Sequence, residues 1–292
     1  MEEQKNSMNI QWYPGHMTKT RRMMEEDLKL VDAVCEILDA RIPISSRNPD
    51  IDAICGKKPR MVILNRIDMA DADLVSRWSN YFKGKGMAVI RTDCKSRKGI
   101  NTFAPAVRQL LSEKLQRYAE KGQVGRPLKL MVVGIPNVGK STFINQIAGR
   151  KGAKAENRPG VTRGKQWVNV DGGLLLLDTP GILWPKFEDP EVGMRLAYTG
   201  AVKDDILDTE TLGCHLMELL AREYPGALTE RYKIEIPAEI DGWELLQAAG
   251  RKRGFLVSGG EVDTERMARV LLEEYRSCKL GTFTLERPEE LA

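Results

Sequence analysis

The chain has 292 residues, 42% of them apolar, 29% charged and 6% aromatic, and its 45 Lys and Arg against 41 Asp and Glu leave a formal charge of +4. At roughly 150 residues per domain there is room for about two domains with real cores, which excludes a small stapled scaffold, a fibrous chain and a disordered one. The basic excess falls in residues 1–199 and an acidic excess in residues 200–292, so the first part is the one suited to a polyanionic partner.

Residues 17–30 read as a charged helix, and residues 31–38 as an apolar strand running into Asp39-Ala40-Arg41. Residues 61–64 form a short buried strand ending at Asn65, 72–83 a helix and 87–90 another strand. Between 101 and 121, Phe103, Val107, Leu110, Leu111 and Leu115 recur at helical spacing, and Gly122 with Gly125-Arg126-Pro127 stops that helix. A strand over 128–133 precedes a helix over 141–148, and 167–170 with 174–177 read as a hairpin turning at Asp171-Gly172-Gly173. The alternation predicts an α/β domain, a mainly parallel sheet with helices on both faces. Strand signals stop after Pro185, and 191–202, 209–223, 243–250 and 262–277 read as helices separated by prolines. The expected organisation is an N-terminal segment at 1–30 packed on the α/β domain, that α/β domain at 31–189 and a small all-helical domain at 190–292.

Cys35, Cys55, Cys94, Cys214 and Cys278 are widely spaced with no C-x-x-C pair. That argues against a disulfide framework or a zinc ribbon and for a reducing compartment. With His16 and His215 the only histidines, a histidine-rich metal site is not expected. No apolar stretch approaches the roughly 20 residues that span a bilayer, and the N-terminus lacks the apolar core of a signal peptide. A cytoplasmic protein without membrane association is expected.

Gly134-Ile135-Pro136-Asn137-Val138-Gly139-Lys140-Ser141 matches G-x-x-x-x-G-K-[ST] between a strand and a helix. Glycines let the backbone curl so that successive N–H groups aim at phosphate oxygens, and the helix N-terminus adds its dipole. Pro136, Asn137, Val138, Gly139, Lys140, Ser141 and Thr142 are therefore candidate nucleotide contacts, with Lys140 reaching the β and γ phosphates and the Ser141 hydroxyl on Mg²⁺. Asp178-Thr179-Pro180-Gly181 ends an apolar strand, where Asp178 can hold Mg²⁺ through water and the Gly181 N–H can meet a γ-phosphate oxygen. Thr162, in the polar stretch 155–165, is the candidate for a mobile-loop threonine that completes the Mg²⁺ shell.

Asn65-Arg66-Ile67-Asp68 follows the strand at 61–64. A carboxylate there can accept two parallel hydrogen bonds from guanine, and a polar site left unpaired by adenine discriminates by about 10⁴–10⁵. Asp68 is thus the candidate guanine reader, Asn65 a brace for the phosphate loop, and Arg66 a planar cation to stack on the base where lysine is usual. Thr92-Asp93-Cys94-Lys95 is the candidate second base loop, with Cys94 and Lys95 beside the purine.

The base motif precedes the phosphate loop, so the chain resembles a circularly permuted P-loop GTPase. Trp12-Tyr13-Pro14-Gly15-His16-Met17, the Asp39-Ala40-Arg41 triplet and the helical C-terminal part resemble the ribosome biogenesis GTPase A family, the YlqF-type assembly factors of the large ribosomal subunit. The likeness implies a cytoplasmic GTPase that binds a late precursor of that subunit (rRNA and ribosomal proteins) and is activated by it; a monomer that does not bind DNA is expected. Ile182 and Leu183 stand where many GTPases carry a water-orienting glutamine, and the likeness assigns that catalytic role to His16; the alternative is that His16 anchors its segment or touches rRNA. Asn137 resembles the asparagine that helps hold K⁺ in potassium-activated GTPases. Three other readings stay open: a permuted GTPase acting on another ribosomal particle, an RNA-binding scaffold that uses GTP structurally, and a P-loop kinase.

Overall fold

The computed structural model describes residues 17–152, 166–170, 172–179, 189–202 and 208–291, without the side chains of 17–20 and 150–152. The strands are β1 (Ala33–Asp39), β2 (Arg60–Asn65), β3 (Ala88–Thr92), β4 (Leu128–Val133), β5 (Gln166–Val170) and β6 (Leu174–Asp178). They form one sheet in the order β3-β2-β1-β4-β6-β5. Every neighbouring pair is parallel except β5 and β6, the antiparallel hairpin expected from the sequence. Chain order runs outward from β1 through β2 to β3, while β4 lies on the other side of β1 with β6 beside it and β5 at the far edge, so a reversal lies between β1 and β4. In such sheets the ligand crevice forms at the carboxyl ends of the strands beside the reversal. Asp39, Asn65, Thr92 and Asp178 end β1, β2, β3 and β6, and Gly134 follows β4, which gathers the motif residues along that edge.

All seven residues of β1 are buried, as befits a central parallel strand covered on both faces. On one face Val34 packs with Met24 and Leu28 of α1 (Met17–Leu28) and Ile51 of α2 (Ile51–Cys55), and Leu38 with Trp78 and Phe82 of α3 (Ala72–Gly84). Alternation sends Cys35, Ile37, Met61, Ile63, Leu130 and Val132 to the other face, where they too are buried. There α4 (Phe103–Leu110) and α6 (Lys140–Gly152) are joined by an edge-to-face pair of Phe103 and Phe143, centroids 5.2 Å apart.

The single helix expected over 101–121 is two. Leu111 leaves helical angles at φ −107°, ψ 23°, staying buried itself while α5 (Ser112–Glu120) turns away with no buried residue.

The helical unit comprises α7 (Pro190–Tyr198), α8 (Thr209–Glu223), α9 (Pro225–Tyr232), α10 (Gly242–Arg253) and α11 (Thr264–Arg276). Asp189, Asp208, Asp241 and Asp263 each cap a helix through a side-chain oxygen that accepts a first-turn N–H. Pro225 starts α9 instead of merely separating its neighbours, because the first helical position has no use for the N–H that proline lacks. In this unit the buried Glu274 carboxylate accepts from Arg231 Nε at 3.0 Å, Tyr232 Oη at 2.9 Å and Arg253 Nη2 at 3.1 Å.

The expected boundary of 190–292 moves. The helical unit stops at residue 283, and residues 284–291 belong to the nucleotide-binding unit. Thr284 and Glu286 are each only 3% exposed, because buried backbone groups satisfy their polar atoms.

Candidate nucleotide site

The loop after β4 turns through two left-handed residues, Asn137 at φ +59° and Gly139 at φ +98°, before Lys140 opens α6. A Cβ on Gly139 would stand 2.4 Å from Asn65 Nδ2, so only glycine lets the base loop come this close. Lys140 is buried and its ammonium donates to the Asp178 carboxylate, which brings the phosphate-loop cation and the candidate magnesium carboxylate together. The Thr179 hydroxyl donates to the Val132 carbonyl at 2.7 Å and fixes the strand end that presents Asp178. Arg66, Pro136, Asn137, Ser141, Thr142 and Asp178 line one open cavity of about 860 Å³. Gln166, which sequence reasoning did not single out, lines it too; the hairpin register sets it opposite Asp178, and that pairing was the available signal.

The base loop is fastened to the phosphate loop by one side chain. The Asn65 amide donates to the Val138 carbonyl at 2.9 Å, while its oxygen accepts from the Thr92 hydroxyl and the Cys94 thiol, both at 3.1 Å. Asn65 thus joins β2, the loop after β3 and the phosphate loop, the bracing contact expected of it. Burial pushes the Cys94 thiol up to about 11. The Lys95 N–H donates to Asp93 Oδ1 at 2.8 Å, which closes the second loop into a tight turn with the Lys95 side chain exposed. Asp68 is exposed on its turn, close enough for its charge to act on both Arg66 and Cys94. Asp68, Cys94 and Lys95 do not line the phosphate cavity.

Arg66, the cation expected to stack on the base, is held at its guanidinium by two neighbours. Its backbone is left-handed at φ +62°, Nη2 donates to the Asn137 carbonyl and Nη1 stands 3.6 Å from Asp39. The reason is Asp39, whose carboxylate takes Arg41 through Nε at 3.0 Å and Nη2 at 2.8 Å. Burial alone would raise the Asp39 pKa, but the Arg41 and Arg66 guanidiniums outweigh it and hold the carboxyl below the ordinary range. Arg66 is therefore a strut between the end of β1 and the phosphate loop. His16, Thr162 and Gly181 lie outside the described residues.

Ser141 and Asp178 supply hard oxygen donors of the kind Mg²⁺ takes beside phosphate oxygens, keeping waters for its remaining positions. Among the described residues no group of three or more His, Cys, Asp and Glu could hold a metal. Among the described residues no helix is long and apolar enough to cross a membrane.

A phosphate-cradling loop braced by a guanine-type motif from earlier in the chain, with Asp178 at the end of β6 beside it, defines a circularly permuted P-loop GTPase. A family profile described as 50S ribosome-binding GTPase matches residues 129–224. Ribosome biogenesis GTPase A of Priestia megaterium is 48% identical over 285 residues, covering 97% of this chain and 98% of that protein. Mitochondrial ribosome-associated GTPase 1 of Mus musculus is 34% identical, covering 94% and 90%. The crystal structure of GNP-bound YlqF from T. maritima superposes with a TM-score of 0.64 at 28% identity, covering 93% of this chain and 99% of that one. The chain belongs to the ribosome biogenesis GTPase A family, and its chemistry is GTP hydrolysis in the service of ribosome biogenesis.

Proposed function

We propose that this GTPase is a cytoplasmic, monomeric assembly factor that binds a late precursor of the large ribosomal subunit, is activated by that particle and couples its nucleotide state to the helical C-terminal domain. The observation that carries this reading is the Asn65–Val138 hydrogen bond of 2.9 Å, because it makes one site of a base loop and a phosphate loop that lie far apart in the chain. In that site Asp68 reads guanine with Cys94 and Lys95 beside it, Lys140 and the loop N–H groups hold the phosphates, and Ser141 and Asp178 hold Mg²⁺ with Thr162. The Gly181 N–H meets the γ-phosphate, Asn137 helps to hold K⁺, and His16 orients the attacking water, a task no apolar side chain at Ile182 performs.

The opposite edge of the nucleotide unit supports a polyanionic partner. Lys57, Lys58, Lys114, Arg117, Lys121 and Arg126 line a groove of about 1000 Å³ against only Asp32 and Glu113. Phosphate contacts from such a surface position a protein on RNA without reading sequence.

The test is multiple-turnover GTP hydrolysis with purified large subunits, small subunits and no particle, in KCl and NaCl at equal ionic strength. Stimulation by the large subunit alone, greater in KCl and lost in His16→Ala with GTP binding intact, is the expected outcome. Equal rates in all three arms would leave a scaffold that uses GTP structurally, and stimulation by the small subunit would reassign the particle.

A further inference from the structure

After the last helix the chain returns to the nucleotide unit and binds the backbone around the base loop. The Thr284 hydroxyl donates to the Ala40 carbonyl at 3.1 Å and accepts from the Asp71 N–H at 3.2 Å. The Leu285 N–H donates to the Arg41 carbonyl at 2.8 Å. The Glu286 carboxylate accepts from the Ile44 N–H at 2.6 Å, the Ser45 N–H at 2.9 Å and the Ser45 hydroxyl, and its carbonyl accepts from Trp78 Nε1 at 2.9 Å. A buried carboxylate facing successive backbone N–H groups is a strong, directional anchor.

The groups held in this way frame the base loop at both ends. At one end, the Ala40 N–H donates to the Asn65 carbonyl at 2.9 Å, and the Asp39 N–H donates to the Ser46 hydroxyl at 3.0 Å, next to the Ser45 that Glu286 grips. Asp39 in turn stands 3.6 Å from Arg66. At the other end, Asp71 caps α3 by accepting the Leu74 N–H at 2.9 Å, three residues beyond Asp68. Asp68 itself is exposed, so the placement of its carboxylate is inherited from the fixed ends of the loop.

We propose that residues 284–286 are a positioning element for nucleobase recognition, with Glu286 and Thr284 as positioning residues that set how well Asp68 distinguishes guanine. The proposal rests on the reading of Asp68 as the guanine contact. It gives the tail a share in nucleotide selectivity from more than 200 residues away, and it makes the end of the helical domain continuous in sequence with the guanine site.

The experiment compares GDP with IDP, whose base lacks the 2-amino group that a carboxylate here would pair with, by calorimetry on the full chain. The variants are Glu286→Gln, Thr284→Val and Asp68→Asn. Glu286→Gln turns amide hydrogens toward groups that now meet an anion, and Thr284→Val removes the hydroxyl while keeping the shape. Each is expected to narrow the GDP:IDP preference about three- to tenfold, the scale of one hydrogen bond, with Asp68→Asn abolishing it. A merely structural tail would weaken both nucleotides by the same factor and leave their ratio unchanged; that result overturns the proposal if Asp68→Asn still abolishes the preference. If Asp68→Asn leaves the preference intact, the guanine reading falls and takes the proposal with it. Should Glu286→Gln fail to fold, Thr284→Val decides alone.

Discussion

Gly139→Ala tests how the two loops are held together, because it puts one methyl group at the contact between them. Two costs follow from the geometry. At φ +98° an alanine carries left-handed strain of about 1–2 kcal/mol. The added Cβ also meets Asn65 Nδ2 at 2.4 Å, and Asn65 cannot step aside freely: it is 2% exposed and held by Val138, Thr92 and Cys94. Losing the Val138 bond and burying an unpaired amide adds about 1–3 kcal/mol, so the variant should lose about 2–5 kcal/mol in urea unfolding and lose GDP affinity as well. Gly86→Ala is the control, since Gly86 has φ +79° and nothing within 4 Å of its added Cβ; it should cost strain alone, about 1–2 kcal/mol. In the Asn65→Ala background the extra cost of Gly139→Ala should shrink to that same strain, a coupling of about 1–3 kcal/mol. Equal losses for Gly86→Ala and Gly139→Ala, or strict additivity with Asn65→Ala, would refute the account.

Cys94, its thiol pushed up to about 11 by burial, should be about a thousandth thiolate at pH 8; mass mapping of iodoacetamide labelling should find it nearly unmodified there, speeding about tenfold per pH unit up to pH 10, and labelling at the rate of a free peptide thiol would contradict this. Glu274 has its pKa held below the ordinary 4.5: burial raises it, but Arg231, Tyr232 and Arg253 outweigh that. A lowered folded pKa means that the unfolded chain binds more protons, so this stabilisation is complete above about pH 5 and drains away as pH falls through the folded value. Urea titrations of the helical unit from pH 6 to pH 3 should show this loss in the parent and less of it in Glu274→Gln, which should already be about 2–4 kcal/mol weaker at pH 7. Asp178→Asn should raise the Mg²⁺ concentration needed for half-maximal hydrolysis at least tenfold, because the amide keeps the shape but not the charge; an unchanged Mg²⁺ requirement would remove Asp178 from the metal site.

What could be read in the sequence was what depends on local pattern. The run at 128–133 became β4 with the same bounds because a buried parallel strand is simply apolar, and G-x-x-x-x-G-K-S declares its geometry through glycine spacing. What could not be read was decided by partners far along the chain. Nothing near Arg66 in the sequence announces that Asp39 will be buried against Arg41 and still leave room for a second cation. Nothing near Glu286 in the sequence announces its burial, because its partners, Ile44 and Ser45, are some 240 residues away. Glu36 interrupts an apolar strand yet is buried, since Arg47 comes within 2.9 Å and Arg60 within 3.5 Å. Leu111 fits the helical period on both sides and still breaks it, because periodicity says which residues face the core and not whether the core extends far enough to meet them.

The permuted order also changes how the site is assembled. In this chain the base loop follows β2 and the phosphate loop follows β4, and the hydrogen bond between them spans 73 residues. Neither loop can be placed by its own hairpin or helix: Asn65 reaches Val138 only when β1 lies between β2 and β4 in register, and Lys140 reaches Asp178 only when β6 has paired beyond β4. Contacts of such long sequence separation form late and cooperatively, so the nucleotide site belongs to the completed sheet and not to any segment of it. A ligand that binds only the completed arrangement stabilises all of it. The strand order, more than any single side chain, therefore makes guanine nucleotide a reporter on the integrity of the whole nucleotide unit, and the tail at 284–286, fastened to the same edge, is drawn into that account.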